Sequence, residues 1–230
     1  MLDERLLLAA TLYEPCTLGA DIGTDHALLP CHLLHQHICE RMLLIDISPK
    51  ALSHARDNIE RHHLADRAQL CLSDGLDAIS EPCGCISIMG MGGETIRSIL
   101  LRGQDKLSGA VLVISSHTEQ PLVRQTFEDI GYHITQERLC HADGRFYIFW
   151  RAEPGHESRW QNEGIQYGKL LWQQNDADLL CSYCRFRMKV MADRLSGLKS
   201  ASGNVEALRA AITADFTYYQ HKIDALEGNA

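Results

Sequence analysis

Apolar residues in the first 150 positions fall into short runs that alternate with segments of helical spacing. A short apolar run bounded by turn residues is typical of a buried strand, whereas apolar residues three and four apart are typical of a helix. The pattern predicts strands at 17–22, 41–46, 68–72, 85–89 and 110–115, and helices at 4–13, 27–36, 50–62, 94–101 and 120–130. This alternation predicts an α/β, doubly wound parallel sheet with helices on both faces.

Two further strand patterns, at 132–140 and 145–151, close this region. The dipeptide Asp143-Gly144 between them is a strong hairpin signal. We therefore expect a terminal antiparallel hairpin at one edge of the sheet. In the helix at 50–62, Ser48 is the predicted N-cap and Pro49 the predicted first helical residue.

The alternation stops after Pro154-Gly155, and apolar residues then recur at intervals of three and four. The first series is Leu179, Tyr183, Phe186 and Val190, and the second is Val205, Leu208, Ile212, Phe216, Tyr219, Ile223 and Leu226. The Gly- and Ser-rich segment 197–204 separates them, which predicts an antiparallel α-helical hairpin with a coiled-coil seam. We expect two domains, 1–153 and 154–230. The hairpin could be a coiled coil of its own, a dimerisation device or an arm that grips a large substrate.

The composition is that of a soluble globular protein, with 45% apolar and 23% charged residues. No apolar run approaches the ~18 residues that a membrane span needs. The N-terminus carries Asp3 and Glu4, whereas a signal peptide is basic at this point. These features predict a cytoplasmic protein with no membrane partner.

The nine cysteines include two close pairs, Cys83 with Cys85 and Cys181 with Cys184. A structural zinc site needs two such pairs together, or one pair with a spaced histidine pair. These two pairs lie far apart, one in a predicted strand and one in a predicted helix. We expect reduced thiols that serve as small apolar residues, and no metal.

Charge is unevenly distributed along the chain, which has a formal net charge of −8. Residues 1–150 contain 12 basic and 20 acidic side chains, whereas residues 151–230 contain 10 of each. An acidic body disfavours tight nonspecific binding to nucleic acid. The stretch 185–199 nevertheless carries five basic residues against the single acid Asp193. It is either a local nucleic-acid contact or an ordinary solvated helix face.

Acidic residues stand at or just after the ends of the first three predicted strands: Asp21, Asp46 and Asp74. Asp46 comes 25 residues after Asp21, about where a nucleotide-binding βαβ unit places the acid that binds ribose hydroxyls. Asp74 could accept a hydrogen bond from the exocyclic amine of an adenine. The alternative is that Asp21 and Asp74 only cap helices or turns, but three acids at successive strand ends favour a ligand.

The first strand ends in a turn with the single glycine Gly23, followed by Thr24, Asp25 and His26. A dinucleotide site needs three glycines so that a pyrophosphate can approach the helix N-terminus, and a carboxylate here would repel it. S-adenosylmethionine contains an adenosine and two cationic groups but no phosphate, so it fits this acidic turn. The glycines of 90–93 allow close approach of a ligand or base, or simply form a turn.

The segment Ala20-Asp21-Ile22-Gly23-Thr24-Asp25-His26-Ala27-Leu28-Leu29-Pro30, with Gly90-Met91-Gly92-Gly93 and the C-terminal hairpin, resembles one family closely. It is similar to the bacterial tRNA adenine-N1 methyltransferases that act at position 22 of tRNA. The resemblance covers essentially the whole chain. It implies a Rossmann-like class I methyltransferase domain, a coiled-coil C-terminal domain, S-adenosylmethionine as methyl donor and tRNA as partner.

The resemblance and the strand-end pattern together give the expected binding residues. Those expected at the cofactor are Asp21, Gly23, Asp46, Ile47, Asp74, Gly75, Gly90, Met91 and Gly92, and those expected at the substrate are Gly93, His117, Arg185, Arg187 and Lys189. One segment departs from the family. Where better-known members carry a Gln-Pro-Asn-like sequence after the fifth strand, this chain has Ile114-Ser115-Ser116-His117-Thr118-Glu119-Gln120-Pro121.

Asp25 and His26 are the expected catalytic residues, because they follow the first strand on the turn beside the expected sulfonium. A carboxylate at Asp25 that accepts a hydrogen bond from the N6 amine of adenine would stabilise the charge created by attack from N1. His26 either orients Asp25 or helps to release the ring proton, or it only starts the helix and holds the turn. Other functions stay open: a methyltransferase for another substrate whose hairpin dimerises, or a noncatalytic S-adenosylmethionine-binding adaptor. The oligomeric state is also left open.

Overall fold

A computed structural model describes residues 2–155, 160–198 and 205–228. The strands are β1 (Cys16–Ile22), β2 (Cys39–Asp46), β3 (Ala68–Leu72), β4 (Cys85–Met91), β5 (Val111–Ser116), β6 (Tyr132–Ala142) and β7 (Arg145–Pro154). The helices are α1 (Glu4–Thr11), α2 (Leu28–His35), α3 (Pro49–Arg61), α4 (Gly93–Arg102), α5 (Gln120–Asp129), α6 (Asn162–Tyr167), α7 (Leu171–Gln174), α8 (Ala177–Gly197) and α9 (Glu206–Gly228). A short 3₁₀ helix at Gln104–Lys106 precedes β5.

The seven strands form one sheet in the order β3-β2-β1-β4-β5-β7-β6. The first five are mutually parallel, and β7 and β6 join antiparallel beyond β5. Strand order reverses between β1 and β4, and ligands of open α/β sheets bind beyond the carboxyl ends of strands at such a switch point. The predicted sheet and its terminal hairpin are confirmed, and the fold places the turn after β1 at the ligand-binding edge.

Helices flank this sheet in two rows, with α1, α2 and α3 packed in one and α4, α5 and α6 in the other. The central strands are buried along most of their length, as parallel strands covered on both faces must be. Local signals hold where they were predicted. The Ser48 side chain accepts a hydrogen bond from the backbone N–H of Ala51, and Pro49 begins α3.

Glycines with positive φ values determine where β4, β6 and β7 end or begin. Asp143 and Gly144 have φ values of 50° and 70°, so both central residues of the β6–β7 turn are left-handed, as this hairpin requires. In β4 the strand runs past its predicted end at Met89 because Gly90, with a φ of 76°, forms an irregularity after which Met91 pairs with Ser116. The extension carries β4 to the edge where the candidate site lies.

The chain divides into two compact units, 1–174 and 175–230. The predicted division followed Glu153, whereas the first compact unit, the sheet unit, extends to Gln174 and includes α6 and α7. The buried ion pair between Arg124 of α5 and Glu137 of β6 attaches the segment with α6 and α7 to the sheet unit. Arg124 donates to the carbonyls of Ile165 and Gln166, and Glu137 accepts from the N–H of Leu171.

In the second unit, α8 and α9 pack against each other, so the predicted helical hairpin is confirmed as a pair of helices. Its seam differs from the prediction by about one residue on α8. The buried residues there are Leu180, Cys181, Tyr183, Cys184 and Met191, whereas Val190 is 38% exposed. On α9, Ile212, Tyr219 and Ile223 are buried as predicted, but Leu208 is 46% exposed. Most of the segment 197–204 lies outside the described residues, and the coiled-coil geometry stays a prediction.

All nine cysteines are free thiols, and seven of them are buried, as expected of small apolar residues. Neither of the two close cysteine pairs belongs to a group of metal-ligating side chains within the described residues. Of the helices in those residues, none combines the length and apolar character that a membrane crossing would need.

Candidate active site

The turn after β1 is held against β2 in a strained conformation. The backbone N–H groups of Gly23 and Thr24 both donate to the carbonyl of Ile45, at 2.8 and 3.3 Å. Gly23 has a φ of 77°, which favours glycine, and Asp25 and Ala27 also have positive φ values of 41° and 52°. Positive φ at residues other than glycine is costly and concentrates at functional sites. The strain therefore supports the expectation that this turn is functional.

Asp21, at the end of β1, is a buried carboxyl group with a hydroxyl partner. It is 6% exposed, and the Ser87 hydroxyl of β4 donates to its Oδ1 at 2.5 Å. Burial raises the pKa of Asp21, while the hydrogen bond from Ser87 acts in the opposite direction. A buried carboxylate at a ligand-binding edge is best compensated by a cation, so this residue suits an ammonium group.

Asp46 has a structural role as well as an expected binding role. Its Oδ1 accepts from the N–H of Ser48 at 2.8 Å, and its Oδ2 accepts from the N–H of Asp25 at 3.3 Å. Asp46 thus joins the turn after β1 to the residue that precedes α3. Each oxygen retains a second lone pair, so the carboxylate can still accept from a vicinal diol. Beside it, Ile47 is 71% exposed and presents an apolar surface on which a flat ring can lie.

Asp74, after β3, is exposed and forms an ion pair with Arg102, 2.9 Å from its Oδ1. The neighbouring Gly75 has a φ of 61°, and a Cβ there would lie 3.0 Å from the Arg102 guanidinium. The pair fixes the loop after β3. It leaves the second carboxylate oxygen of Asp74 for a hydrogen bond from an exocyclic amine.

The glycines at the end of β4 and the start of α4 have different roles. Gly90 is required by its φ of 76°, whereas a Cβ at Gly93 would come within 2.9 Å of the backbone oxygens of Thr118 and Glu119. The N–H of His117 donates to the carbonyl of Met91, which joins this segment to the loop after β5. Close contact with that loop therefore explains why residue 93 is a glycine, and no ligand is needed for that explanation.

Asp25 lies beside a pair of imidazoles. Its Oδ2 is 3.6 Å from His26 Nε2, and its Oδ1 is 3.8 Å from Nδ1 of His54, a residue of α3. The two rings stack with centroids 4.7 Å apart and planes within 4° of parallel. These three side chains could offer ligands to a metal ion. Because a metal must lie in the plane of each ligating ring, stacked parallel rings would first have to rotate, and the expected absence of a metal stays a prediction.

A cavity of about 250 Å³ opens beside this turn. Its lining comes from α1, from β1 and the turn after it, from α2, and from β4, β5, the loop after β5 and β7. The lining residues are Arg5, Leu6, Asp21, Gly23, Thr24, Asp25, His26, Leu28, Leu29, Met89, Gly90, Ser115, His117, Tyr147 and Phe149. Five of the expected residues around the sheet edge therefore share one cavity with His117. Ile47, Asp74 and Gly75 belong instead to the ends of β2 and β3.

Several lining residues escaped the sequence analysis, as did His54. Tyr147 and Phe149 lie two apart on β7, so they share a strand face, but only the placement of β7 beside β5 brings that face to the cavity. Arg5 and Leu6 belong to α1, which carried no motif. The signal for Tyr147 and Phe149 was the cluster of aromatic residues in β7, which also fits an ordinary core strand.

The three basic residues expected to contact the substrate lie in the helical unit, and two of them have partners there. Arg185 pairs with Glu227 of α9. Arg187 lies over the rings of Tyr183 and Tyr219, at 5.9 and 5.4 Å from their centroids, and donates to the Tyr183 hydroxyl. Lys189 is exposed. Arg187 therefore helps to hold the two helices together.

The family model described as a methyltransferase domain matches residues 2–149, more than half of the chain. The tRNA (adenine(22)-N(1))-methyltransferase of Bacillus subtilis (strain 168) is 30% identical over 156 residues, which are 67% of this chain and 66% of that protein. The alignment therefore spans slightly less than two thirds of that relative.

Two solved structures have the same fold. TrmK of M. capricolum, in complex with S-adenosyl-homocysteine, is 25% identical with a TM-score of 0.84 over 98% of this chain and 99% of that one. A protein of the NADB-Rossmann superfamily from Streptococcus agalactiae is 23% identical with a TM-score of 0.86 over 97% and 98%. The Rossmann-like fold expected from the sequence is confirmed, and the chain belongs to the methyltransferase-domain family.

Proposed function

We propose that this chain transfers a methyl group from S-adenosylmethionine to N1 of an adenine in tRNA, at position 22. The observation that carries the proposal is the turn after β1, where the exposed side chains of Asp25 and His26 line the same cavity as the buried Asp21. The named activity of the Bacillus subtilis relative and the S-adenosyl-homocysteine bound to the M. capricolum protein support it.

The residues at the sheet edge fit S-adenosylmethionine by charge and by order. Asp21 provides a buried negative charge for the ammonium of the amino-acid part, and Asp46 retains acceptor capacity for the ribose hydroxyls. Exposed Ile47 and Asp74 follow β2 and β3, the strands on the side of β1 away from β4, and suit the adenine ring and its amine. When bound, this donor supplies an electrophilic methyl group carried by a sulfonium.

Asp25 and His26 are the proposed catalytic residues. Methyl transfer depends on positioning more than on acid–base chemistry, and attack by N1 leaves the adenine ring positively charged. The exposed carboxylate of Asp25 accepts a hydrogen bond from the N6 amine and stabilises that charge. The stacked rings of His26 and His54 lie beside the Asp25 carboxylate, at 3.6 and 3.8 Å from its oxygens. His26 assists release of the proton from the methylated adenine ring.

The helical unit is the proposed tRNA-binding domain, and exposed Arg185 and Lys189 are its candidate phosphate contacts. We place the division between the two domains after Gln174, in accordance with the compact units. A tRNA substrate is consistent with a cytoplasmic location.

The test is methyl transfer from labelled S-adenosylmethionine to tRNA that lacks the modification, followed by nucleoside analysis. We expect 1-methyladenosine, and loss of the product when the adenine at position 22 is replaced. Another methylated nucleoside would overturn the assignment of the target. Binding of S-adenosylmethionine without any transfer would favour the noncatalytic adaptor.

A further inference from the structure

One side of the cavity is lined by residues that are not among the expected contacts of the methyl donor. Besides the turn and the strand ends, it is lined by Arg5 and Leu6 of α1, by His117 after β5, and by Tyr147 of β7. In the sheet, β2 and β3 lie on one side of β1, whereas β4, β5 and β7 lie on the other. If the nucleoside of the donor lies over β2 and β3, the β5–β7 side is left for the acceptor.

We propose that Arg5, His117 and Tyr147 form the subsite for the target nucleotide, with the base against the aromatic rings and a phosphate at the guanidinium. The inference rests on the proposed function and adds the residues that receive its substrate. Base recognition in RNA commonly uses stacking on aromatic rings and on arginine planes, which these three side chains together provide.

The aromatic part of the subsite is already ordered. The rings of His117 and Tyr147 lie edge to face, with centroids 6.3 Å apart and planes at 64°. The Arg5 guanidinium lies over the Tyr147 ring at 4.9 Å from its centroid. His117 is exposed and Tyr147 is half-buried, so the pair offers an apolar surface at the opening of the cavity.

Charge also favours a nucleotide here. Among the described residues that line the cavity, Arg5 carries the permanent positive charge, whereas Asp21 and Asp25 are acidic. Asp3 holds Arg5 through an ion pair and also caps α1 by accepting from the N–H of Leu6. Both partners of the ion pair are about one-third exposed, at 32% and 38%, so it is weak and a phosphate can compete for the guanidinium.

The experiment compares Tyr147→Ala, Tyr147→Phe and Arg5→Ala with the full-length wild type. Initial rates are measured at saturating S-adenosylmethionine with varied tRNA, and the donor's Kd is measured separately by calorimetry. We expect Tyr147→Ala to lower kcat/KM for tRNA about tenfold or more, because a stacked base is lost, and Tyr147→Phe to stay within about threefold. Arg5→Ala should raise KM and flatten its salt dependence, because a phosphate contact is removed.

Phe146→Ala is the matched control, since Phe146 is the adjacent residue of β7 and stacks on His141 at 4.4 Å. Neighbouring strand residues point to opposite faces, so this change removes an aromatic ring without touching the cavity. An unchanged donor Kd shows that each variant is folded. The inference is overturned if Tyr147→Ala keeps kcat/KM within about twofold, or if Phe146→Ala loses as much. An inactive wild type would instead contradict the proposed function.

Discussion

Arg124 Nε donates to Glu137 Oε1 at 2.7 Å, and both side chains are almost fully buried, at 2% and 0% exposure. The same oxygen accepts from the indole N–H of Trp150 at 2.8 Å, and the other accepts from the backbone of Leu171. This ion pair joins α5 and β6 to the segment that carries α6 and α7. Contacts of α5 and β6, which carry no motif in the sequence, thereby place α6 and α7 in the compact unit that ends at Gln174.

Glu137→Ala should lower the free energy of unfolding by about 3–5 kcal/mol, because it leaves a buried guanidinium without its carboxylate. Chemical denaturation measures this change. The control is Glu81→Ala, which removes an exposed partner of Arg41 and should cost about 0–1 kcal/mol. Equal effects of the two substitutions would contradict the structural role assigned to the buried pair.

Asp25→Asn should lower methyl transfer to tRNA by roughly 10²–10³-fold while S-adenosylmethionine binds as before, because the amide cannot stabilise the developing charge as a carboxylate does. Single-turnover rates with calorimetric Kd values separate the two effects. The exposed turn residue Asp66 provides the control substitution, Asp66→Asn, which should leave both quantities unchanged. Full methylation by Asp25→Asn would remove this residue from the mechanism.

Asp21→Asn should weaken S-adenosylmethionine binding about tenfold, because the ammonium loses its buried counter-charge. In the ligand-free protein the same change should raise Tm by roughly 2–4 °C at neutral pH. Burial raises the pKa of Asp21 in the folded state, so folding binds protons between the ordinary carboxyl pKa of 3.8 and the raised value. Wild-type stability therefore falls as pH rises through that window.

The stability gain of Asp21→Asn should accordingly disappear below pH 3.8, where the carboxyl group is protonated in both states. Thermal melts at acidic and neutral pH measure it. The amide oxygen can still accept from Ser87, so that hydrogen bond is preserved. A variant that is less stable than wild type at neutral pH would contradict a burial penalty at this position.

Charge reversal at Arg185 and Lys189 should weaken tRNA binding about tenfold and reduce its salt dependence, while the donor's Kd is unchanged. The control is Lys169→Glu, an exposed lysine of the other compact unit. Titrations at several salt concentrations provide the measurement. Equal tRNA affinity after the reversal would exclude these two residues from the RNA interface.

Arg187→Ala tests a different property, because Arg187 packs on two tyrosines inside the helix pair. We expect a loss of about 1–2 kcal/mol in the stability of the helical unit, since a partly desolvated cation–π contact is removed. Thermal unfolding monitored by circular dichroism measures it. If stability is unchanged and tRNA affinity falls, Arg187 contacts RNA and the packing role assigned to it is wrong.

The sequence determined the sheet unit because its information there is local. Apolar runs, Ser48 before Pro49, the Asp-Gly hairpin and acids at strand ends each act within a few residues, and parallel strands bring their carboxyl ends to one edge. That was enough to place Asp21, Gly23 and Asp25 together. The turn after β1 has the single glycine Gly23, which argues against a site for a dinucleotide pyrophosphate.

Only the tertiary structure shows which residues far apart in sequence contact each other at the site. His54 reaches Asp25 from α3, and Arg5 and Tyr147 reach the cavity from α1 and β7, elements that share no sequence motif. The seam of the helix pair and the end of the sheet unit likewise depended on which side chains find buried partners, as Arg187 and Glu137 do. Such partners come from packing between distant segments, which the spacing of residues along one segment does not encode.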